Sequence, residues 1–336
     1  MSNKTVSAIV VTNGTNDYLK NCLFSLQRQT YSCLDIIVID NALNPDFSRR
    51  ILKAFPLIRL YQSQENLFYC RSLNRGINLS RQEFILCLND DVVLDEHFVE
   101  RALQAFFLDP KIGMVSGKIL RAEAQTIDSC GLVLSLWRTA KERGYASRDC
   151  GQFEKPGYIF GVSGAAAFYR KAMLEEIKEG QDYFDPDFCF FYEDLDLAWR
   201  ANRLGWKCYY VPDALVYHWR GGSARFPCGI GRPQARRYLK DNLQAHLVKN
   251  RYLVLIKNES LGGFLLHLPL IFLYDLAVWG YILFFKPAQI KHFIANFAYL
   301  KGAWRKRKFY RQRKSYSSVD KKNSCISPKN QKILDN

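Results

Sequence analysis

A chain of 336 residues that is 48% hydrophobic suits one large α/β domain with an appendage, or two domains, and can bury a sizeable core. Its formal charge of +16, from 48 Lys and Arg against 32 Asp and Glu, implies an anionic partner: nucleotide, nucleic acid or membrane surface. Ten cysteines form no C-x-x-C pair and accompany no His-rich tract, which argues for small buried thiols in a reducing compartment over zinc or disulfides.

The opening "MSNKTVSAIVVTN" holds too short an apolar run for a signal peptide. "TVSAIVV" (5–11) reads as a buried strand. Leu19, Cys22, Leu23 and Leu26 then keep helical spacing, with Asn16 or Asp17 as N-cap. "DIIVID" (35–40) and "LIRLYQ" (57–62) are further strands, with a short helix opened by Pro45 and Asp46 between them. A helix around 70–80 leads to a fourth strand, "EFILCL" (83–88). This alternation predicts a mostly parallel, doubly wound α/β sheet, whose ligands bind beyond the carboxyl ends of the strands.

From about residue 112 the pattern changes. "IGMVSGKIL" and "YIFGVSGAAAFYR" read as strands with Gly turns, on either side of an irregular stretch (121–157). "EDLDLAWRANRLG" is a helix stopped at Gly205, and "WKCYYVP" and "ALVYHW" are two more strands. The globular domain is expected to span 1–230. Residues 231–314 form a helical, apolar and basic region, and 315–336 a polar, disordered tail.

Within that second region, "LGGFLLHLPLIFLYDLAVWGYILFF" (261–285) is long enough to span a bilayer, but His267, Pro269 and Asp275 interrupt it. Two shallow interfacial helices broken near Pro269 are expected, with "KGAWRKRKFYRQRK" (301–314) on anionic headgroups. A buried helical hairpin with a solvated charged end is the alternative.

The strand ends hold the candidate chemistry. "CLNDDVVL" (87–94) places Asn89, Asp90 and Asp91 after the fourth strand, where carboxylates suit Mg²⁺ or Mn²⁺ together with phosphate oxygens, or else a turn and a helix cap. Asp40 can accept a base N–H or a ribose hydroxyl, or close an Asx-turn. "FFYEDLDLAWR" (190–200) sets Glu193, Asp194 and Asp196 after an aromatic run, which suits either catalysis or a helix N-terminus. His218, in "YHWRGG", follows a strand and precedes a Gly-rich loop. There is no G-x-G-x-x-G after the first strand, no P-loop, and no G-x-S-x-G or H-E-x-x-H motif.

Five segments in order resemble the inverting family 2 glycosyltransferases of the GT-A fold, near the bacterial rhamnosyltransferase-like branch. They are "SAIVVTN", "CLFSLQRQTYSCLDIIVIDN", "CLNDDVVL", "VSGAAAFYRK" and "FFYEDLDLAWRANRLGWKCYYVPDALVYHWRGGS". The resemblance covers about residues 5–225. It implies Asp194 as general base and a divalent metal, Mg²⁺ or Mn²⁺, held by Asp91 and His218. It further implies Thr12, Asp40 and Asn41 at the nucleotide and Ser163 and Gly164 beside donor sugar and acceptor. Asn74, Asp90, Glu193 and Trp219 complete the substrate-binding candidates. "ENLFYCRSLNRGI" departs from the family's N-x-G-F-A pattern at Phe68, and Asn13-Gly14 replaces its Tyr-Asn, which leaves the base preference open.

The implied enzyme is a peripheral membrane protein on the cytoplasmic face of the plasma membrane. It would move a sugar, rhamnose from dTDP-rhamnose first and a UDP-hexose or UDP-N-acetylhexosamine second, to a lipid-linked or saccharide acceptor in surface polysaccharide synthesis. A nucleic-acid-binding protein would carry its basic stripe on the folded domain, whereas here the densest charge lies outside it. An inactive membrane scaffold is the remaining rival.

Overall fold

The computed structural model describes residues 5–14, 18–220 and 241–308. The expected N-cap at Asn16 or Asp17, the domain junction near 230 and the tail 315–336 lie outside the described residues. The N-terminal half consists of β1 (Val6–Thr12), α1 (Tyr18–Gln27), β2 (Leu34–Asp40), α2 (Pro45–Ala54), β3 (Arg59–Gln62), α3 (Phe68–Leu79) and β4 (Phe84–Asn89). Then come β5 (Val92–Leu94), α4 (Phe98–Ala105), β6 (Ile112–Arg121), β7 (Ile127–Ser129), β8 (Leu132–Leu134), β9 (Ala140–Glu142), β10 (Gly157–Ile159) and β11 (Ala166–Arg170). The chain continues through α5 (Lys171–Ile177), a 3₁₀ turn (Pro186–Phe188), α6 (Glu193–Arg203), β12 (Lys207–His218), α7 (Asp241–Asn258), α8 (Leu261–Phe285) and α9 (Ala288–Ala295).

The main sheet runs β10-β12-β6-β11-β4-β1-β2-β3. β4, β1, β2 and β3 are parallel, as the βα alternation predicts, and β6 pairs parallel with β12. β11 is inserted antiparallel between β4 and β6. Both faces are covered, so β1 is buried at every residue and is mostly apolar, with Ser7 and Thr12 its polar members. Leu19, Leu23 and Leu26 of α1, Phe47 and Ile51 of α2, and Phe98 and Ala102 of α4 pack on one face. Leu73 and Ile77 of α3, Leu174 of α5, Leu195 and Ala198 of α6, and Leu253 and Val254 of α7 pack on the other. The eight cysteines among the described residues are all free.

Two expectations change. "WKCYYVP" and "ALVYHW" form one strand, β12, whose register against β6 shifts between Val211 and Leu215. Pro212 cannot donate to the ladder, and a bulge there lets the strand continue. Gly117 faces the bulge, where a Cβ would stand 2.2 Å from the Ala214 carbonyl oxygen. The second change is α8. It is one helix of 25 residues, about 37 Å long, and runs straight through Pro269. The hydrogen bond lost at Pro269 is tolerated because the helix is held on both sides of it. Arg138 bonds His267 at 3.1 Å, and Arg251 pairs with Asp275.

α7 is fastened to α6 by buried charge. Lys257 donates to Asp185 at 2.5 Å and to Asp196 at 3.0 Å, and Asn258 donates to the other Asp196 oxygen at 2.7 Å. Arg200 donates to Asp196 at 2.9 Å. Asp196, the third acid of the 190–200 segment, is therefore a structural anchor. Removing one partner of such a network strands buried charge. Lys257→Met is accordingly expected to destabilise the protein by about 3–5 kcal/mol in denaturant titration.

Candidate active site

The carboxyl ends of β1 and β4 open into a cleft of about 1350 Å³. β5 turns back after Asp91 and pairs antiparallel with the end of β12, opposing Val92 to His218. The Trp219 amide then donates to the Asp91 carbonyl at 2.9 Å. This pairing brings His218 Nε2 to 3.2 Å from Asp91 Oδ1. Asp128, on β7, accepts from His218 Nδ1 at 2.8 Å and also pairs with Arg220. Burial opposes the imidazolium, but Asp91 and Asp128 outweigh it, and His218 is pushed up to about 9. Burial would likewise raise Asp128, yet His218 and Arg220 hold it well below the usual carboxylate range.

The Asp91–His218 corner fits a divalent cation. Two ligands about 2.1 Å from an octahedral ion, at right angles, stand about 3.0 Å apart, close to the separation here. Asp128 on Nδ1 leaves Nε2 to face the site, the arrangement that orients a metal-binding imidazole. Among the described residues no three His, Cys, Asp or Glu gather into a full cage. A cation held here would complete its shell with ligand oxygens.

Asp90 turns the other way. Thr12 donates to its Oδ2 at 2.6 Å, and the Gly14 amide donates to Thr12 Oγ1 at 3.0 Å. Burial drives Asp90 up to about 6, with Thr12 opposing and Asp91 adding to the rise.

The second corner is the start of α6. Of its three acids only Asp194 is part-exposed in the cleft, since Glu193 and Asp196 are buried. Asp194 accepts from the Gly164 amide at 3.1 Å and from the Leu195 amide at 2.7 Å. Two backbone donors fix its orientation. Gly164 gives this contact room, since a Cβ there would stand 3.3 Å from Glu193 Oε1 and 3.4 Å from Asp194 Oδ2. Ser163, next to it, donates to Glu142 Oε1 at 3.1 Å. Glu142 also accepts from Ser129 at 2.5 Å. Burial first and the charge of Asp194 second push Glu142 up to about 7.

Thr12, Asn41, Asp90, Asp91, Ser163, Gly164, Glu193, Asp194 and His218 all line the one cleft. Three candidates do not. Asp40 is fully buried, with one oxygen closing an Asx-turn on Ala42 at 2.7 Å and the other accepting from Ser48 at 2.6 Å. Asn74 is consumed internally: it donates to Asp182 and Phe184 and accepts from the Tyr183 and Phe184 amides. Trp219 joins the site through its backbone, while its ring is 38% exposed.

Sequence reasoning missed Asp128, Glu142 and Arg220. Asp128 and Glu142 lie in the stretch 121–157, whose short strands form through distant pairing and leave no local period. Arg220 stood two residues from His218 and was readable as a third charge at that strand end. The far wall of the cleft was missed too. Leu247, Val248 and Arg251 of α7 and Tyr274, Val278 and Ile282 of α8 line it, so the C-terminal helices face Asp194 across one cavity.

A family model described as "Glycosyltransferase like family 2" matches residues 3–228. Poly-β-1,6-N-acetyl-D-glucosamine synthase of Staphylococcus aureus (strain MSSA476) is 22% identical over 214 residues, covering 60% of this chain and 47% of that protein. The synthase of the same name from Staphylococcus epidermidis is 21% identical over 222 residues, covering 63% and 49%. The chain thus spans about half the length of the curated relatives it matches. Two solved structures share the fold. GalNAc-T7 with UDP, GalNAc and Mn²⁺ has a TM-score of 0.55 at 13% identity, covering 75% of this chain and 48% of that one. Mannosyltransferase PcManGT from Pyrobaculum calidifontis, with GDP-Man and Mn²⁺, has a TM-score of 0.51 at 15% identity, covering 96% and 88%. With two thirds of its length matched by one family model, and a doubly wound sheet that gathers Asp91, Asp194 and His218 at its edge, the chain belongs to the family 2 glycosyltransferases.

Proposed function

We propose that the protein transfers a sugar, with inversion, from a nucleoside diphosphate donor to an acceptor hydroxyl, with Asp194 as general base. The observation that carries this is the placing of Asp194, held by two backbone amides and part-exposed in the cleft that also contains Asp91 and His218. Asp194 takes the acceptor proton as that oxygen bonds to the anomeric carbon, and the bond from that carbon to the diphosphate breaks on the opposite face. Asp91 and His218 hold a divalent cation, Mg²⁺ or Mn²⁺, which when bound neutralises charge on the departing diphosphate. Thr12 and Asn41 border the nucleotide, and Asp90, braced by Thr12, shapes the floor between nucleotide and metal corner. Asp40 acts one step back, by fixing the turn that carries Asn41.

For the donor, the sequence resemblance points to dTDP-rhamnose. The names of the staphylococcal relatives favour UDP-N-acetylglucosamine as the alternative. For the acceptor, the apolar wall of Leu247, Val248, Val278 and Ile282 supports a lipid-linked saccharide in surface polysaccharide synthesis over a free saccharide. α8 also supports a place on the cytoplasmic face of the plasma membrane. Its cleft stripe faces inward, and Leu265, Phe272, Leu276 and Leu283 form the opposite stripe, each more than half exposed at 59%, 62%, 60% and 56%. A helix that is apolar all round and covered on one side only is suited to rest in a bilayer surface. The basic run from Lys286 complements anionic headgroups.

Calorimetry with dTDP, UDP and GDP, with and without Mn²⁺, tests the donor site. One nucleotide is expected to bind only with metal, and Asp91→Ala to abolish that binding. Asp194→Asn should bind the nucleotide normally yet lose about 10²–10⁴-fold in turnover. Binding of no nucleotide to folded protein would overturn the proposal.

Glu142 gives a pH signature. Its carboxyl holds a proton to about pH 7 in the folded chain but only to its ordinary value of 4.5 when unfolded. Folding therefore binds a proton between these values, and stability falls as pH rises from 4.5 to 7. Glu142→Gln should raise the melting temperature at pH 8, by about 1–2 °C for a gain near 1 kcal/mol, and leave it unchanged at pH 4. Flotation with vesicles of phosphatidylethanolamine and phosphatidylglycerol tests the outer stripe. Phe272→Glu with Leu276→Glu should shift the protein from the floated to the soluble fraction.

A further inference from the structure

The aromatic run before Asp194 takes a costly path. Cys189, Phe191 and Tyr192 all have positive φ, of 63°, 67° and 69°, Cys189 at the centre of a tight turn with ψ of −65°, and none is glycine. Side chains other than glycine, Asn and Asp disfavour that region, and bulky aromatics especially so. Three such residues in four positions persist only if their surroundings impose them. The reversal they create presents Tyr192 as the N-cap of α6, without any side-chain cap bond, and starts the helix at Glu193 and Asp194.

The group that imposes the path lies on α7. Asn250 is fully buried, and its Nδ2 donates to the carbonyls of Phe188 at 2.9 Å, Phe190 at 2.7 Å and Phe191 at 2.8 Å. One amide, sharing its two N–H groups, thus gathers three carbonyls of the reversed backbone, of which that of Phe188 also accepts from the Phe190 amide at 2.8 Å. Its own Oδ1 meets no hydrogen-bond donor among the described residues. A buried acceptor left in that state costs free energy, so what the position gains comes from its donor side. Lys249, next in the chain, donates to the Asp187 carbonyl at 2.5 Å and grips the same turn one residue earlier.

We propose that Asn250 is a positioning residue for glycosyl transfer, whose side-chain amide holds the positive-φ turn 189–192 and thereby aims Asp194 into the cleft. This rests on the assignment of Asp194 as base. Asn250 touches neither nucleotide corner, so it acts on the rate of transfer and leaves donor binding intact. The family match ends at residue 228, so this residue comes from beyond the matched segment.

The test uses the full chain in phosphatidylethanolamine–phosphatidylglycerol nanodiscs. Nucleoside diphosphate release is followed from UDP-N-acetylglucosamine and from dTDP-rhamnose, with bacterial membrane lipid extract as acceptor source. Asn250→Ala is expected to lower kcat at least tenfold with donor KM within twofold of wild type. Adding Cys189→Gly, which relieves one positive-φ residue, should shrink that loss at least threefold when each variant is compared with its own Asn250 parent. Hydrogen exchange needs no substrate and decides independently. The amides of Gly164 and Leu195, which hold Asp194, and those of 189–192 should exchange at least tenfold faster in Asn250→Ala, with β1 and β4 unchanged. Asn250→Ser, which keeps one donor, replaces alanine if that variant does not fold, and should fall between it and wild type.

Unchanged exchange at these amides, unchanged kcat, or a loss that Cys189→Gly does not reduce and that follows the melting temperature would each overturn the proposal. Full activity in Asp194→Asn would instead overturn the base assignment, and the exchange data would still report whether Asn250 holds the turn.

Discussion

A lysine with no exposed surface, Lys257, sits between two buried carboxylates, Asp185 and Asp196, and most of the site's geometry depends on that contact. Asp196 belongs to the first turn of α6, and Asp185 caps the short helical turn just before the aromatic run. Neutralising both from α7 fixes the two ends of the segment that carries Asp194. The desolvation of three charges is offset only because each finds further partners: Lys306 on Asp185, and Arg200 and Asn258 on Asp196. Asp194, the proposed base, is placed by tertiary contact as much as by its own helix.

The two acidic corners of the cleft are tuned in opposite directions. At the metal corner, cations surround Asp128 and keep it ionised, so it can polarise His218. Near the base, Glu142 lies against Asp194 with hydroxyl groups as partners, and holds its proton to about pH 7. The charge of Asp194 adds to the burial that raises Glu142, while Asp194 itself is fixed by backbone amides.

Much of this was legible because it is local. The mostly apolar runs of β1, β2 and β4, with helical spacing between them, give the parallel half, and the acids after β4 fall where such sheets bind ligands. What was hidden depends on distant partners. Asp40 and Asn74 look like ligand-binding polar groups, and only the fold reveals that Ser48 and the 182–184 backbone consume them. Asp128 and Glu142 lie on three-residue strands that exist through pairing across a long loop. Pro269 reads as a break, yet contacts from Arg138 and Arg251 carry the helix past it. The aromatic run hides its left-handed path completely, since no glycine marks it.

The segment shared with the family and the segment that folds as one body do not coincide. A protein engineer who swaps residues 3–228 between relatives, treating that stretch as a portable cassette, would separate α6 from the helix that neutralises it. Grafting succeeds only where the recipient's following helix offers an amide and a buried cation at matching positions. Compatibility between the matched domain and the C-terminal helices therefore turns on a few polar side chains in α7, and chimeras are better spliced after Asn258 than at the end of the matched region.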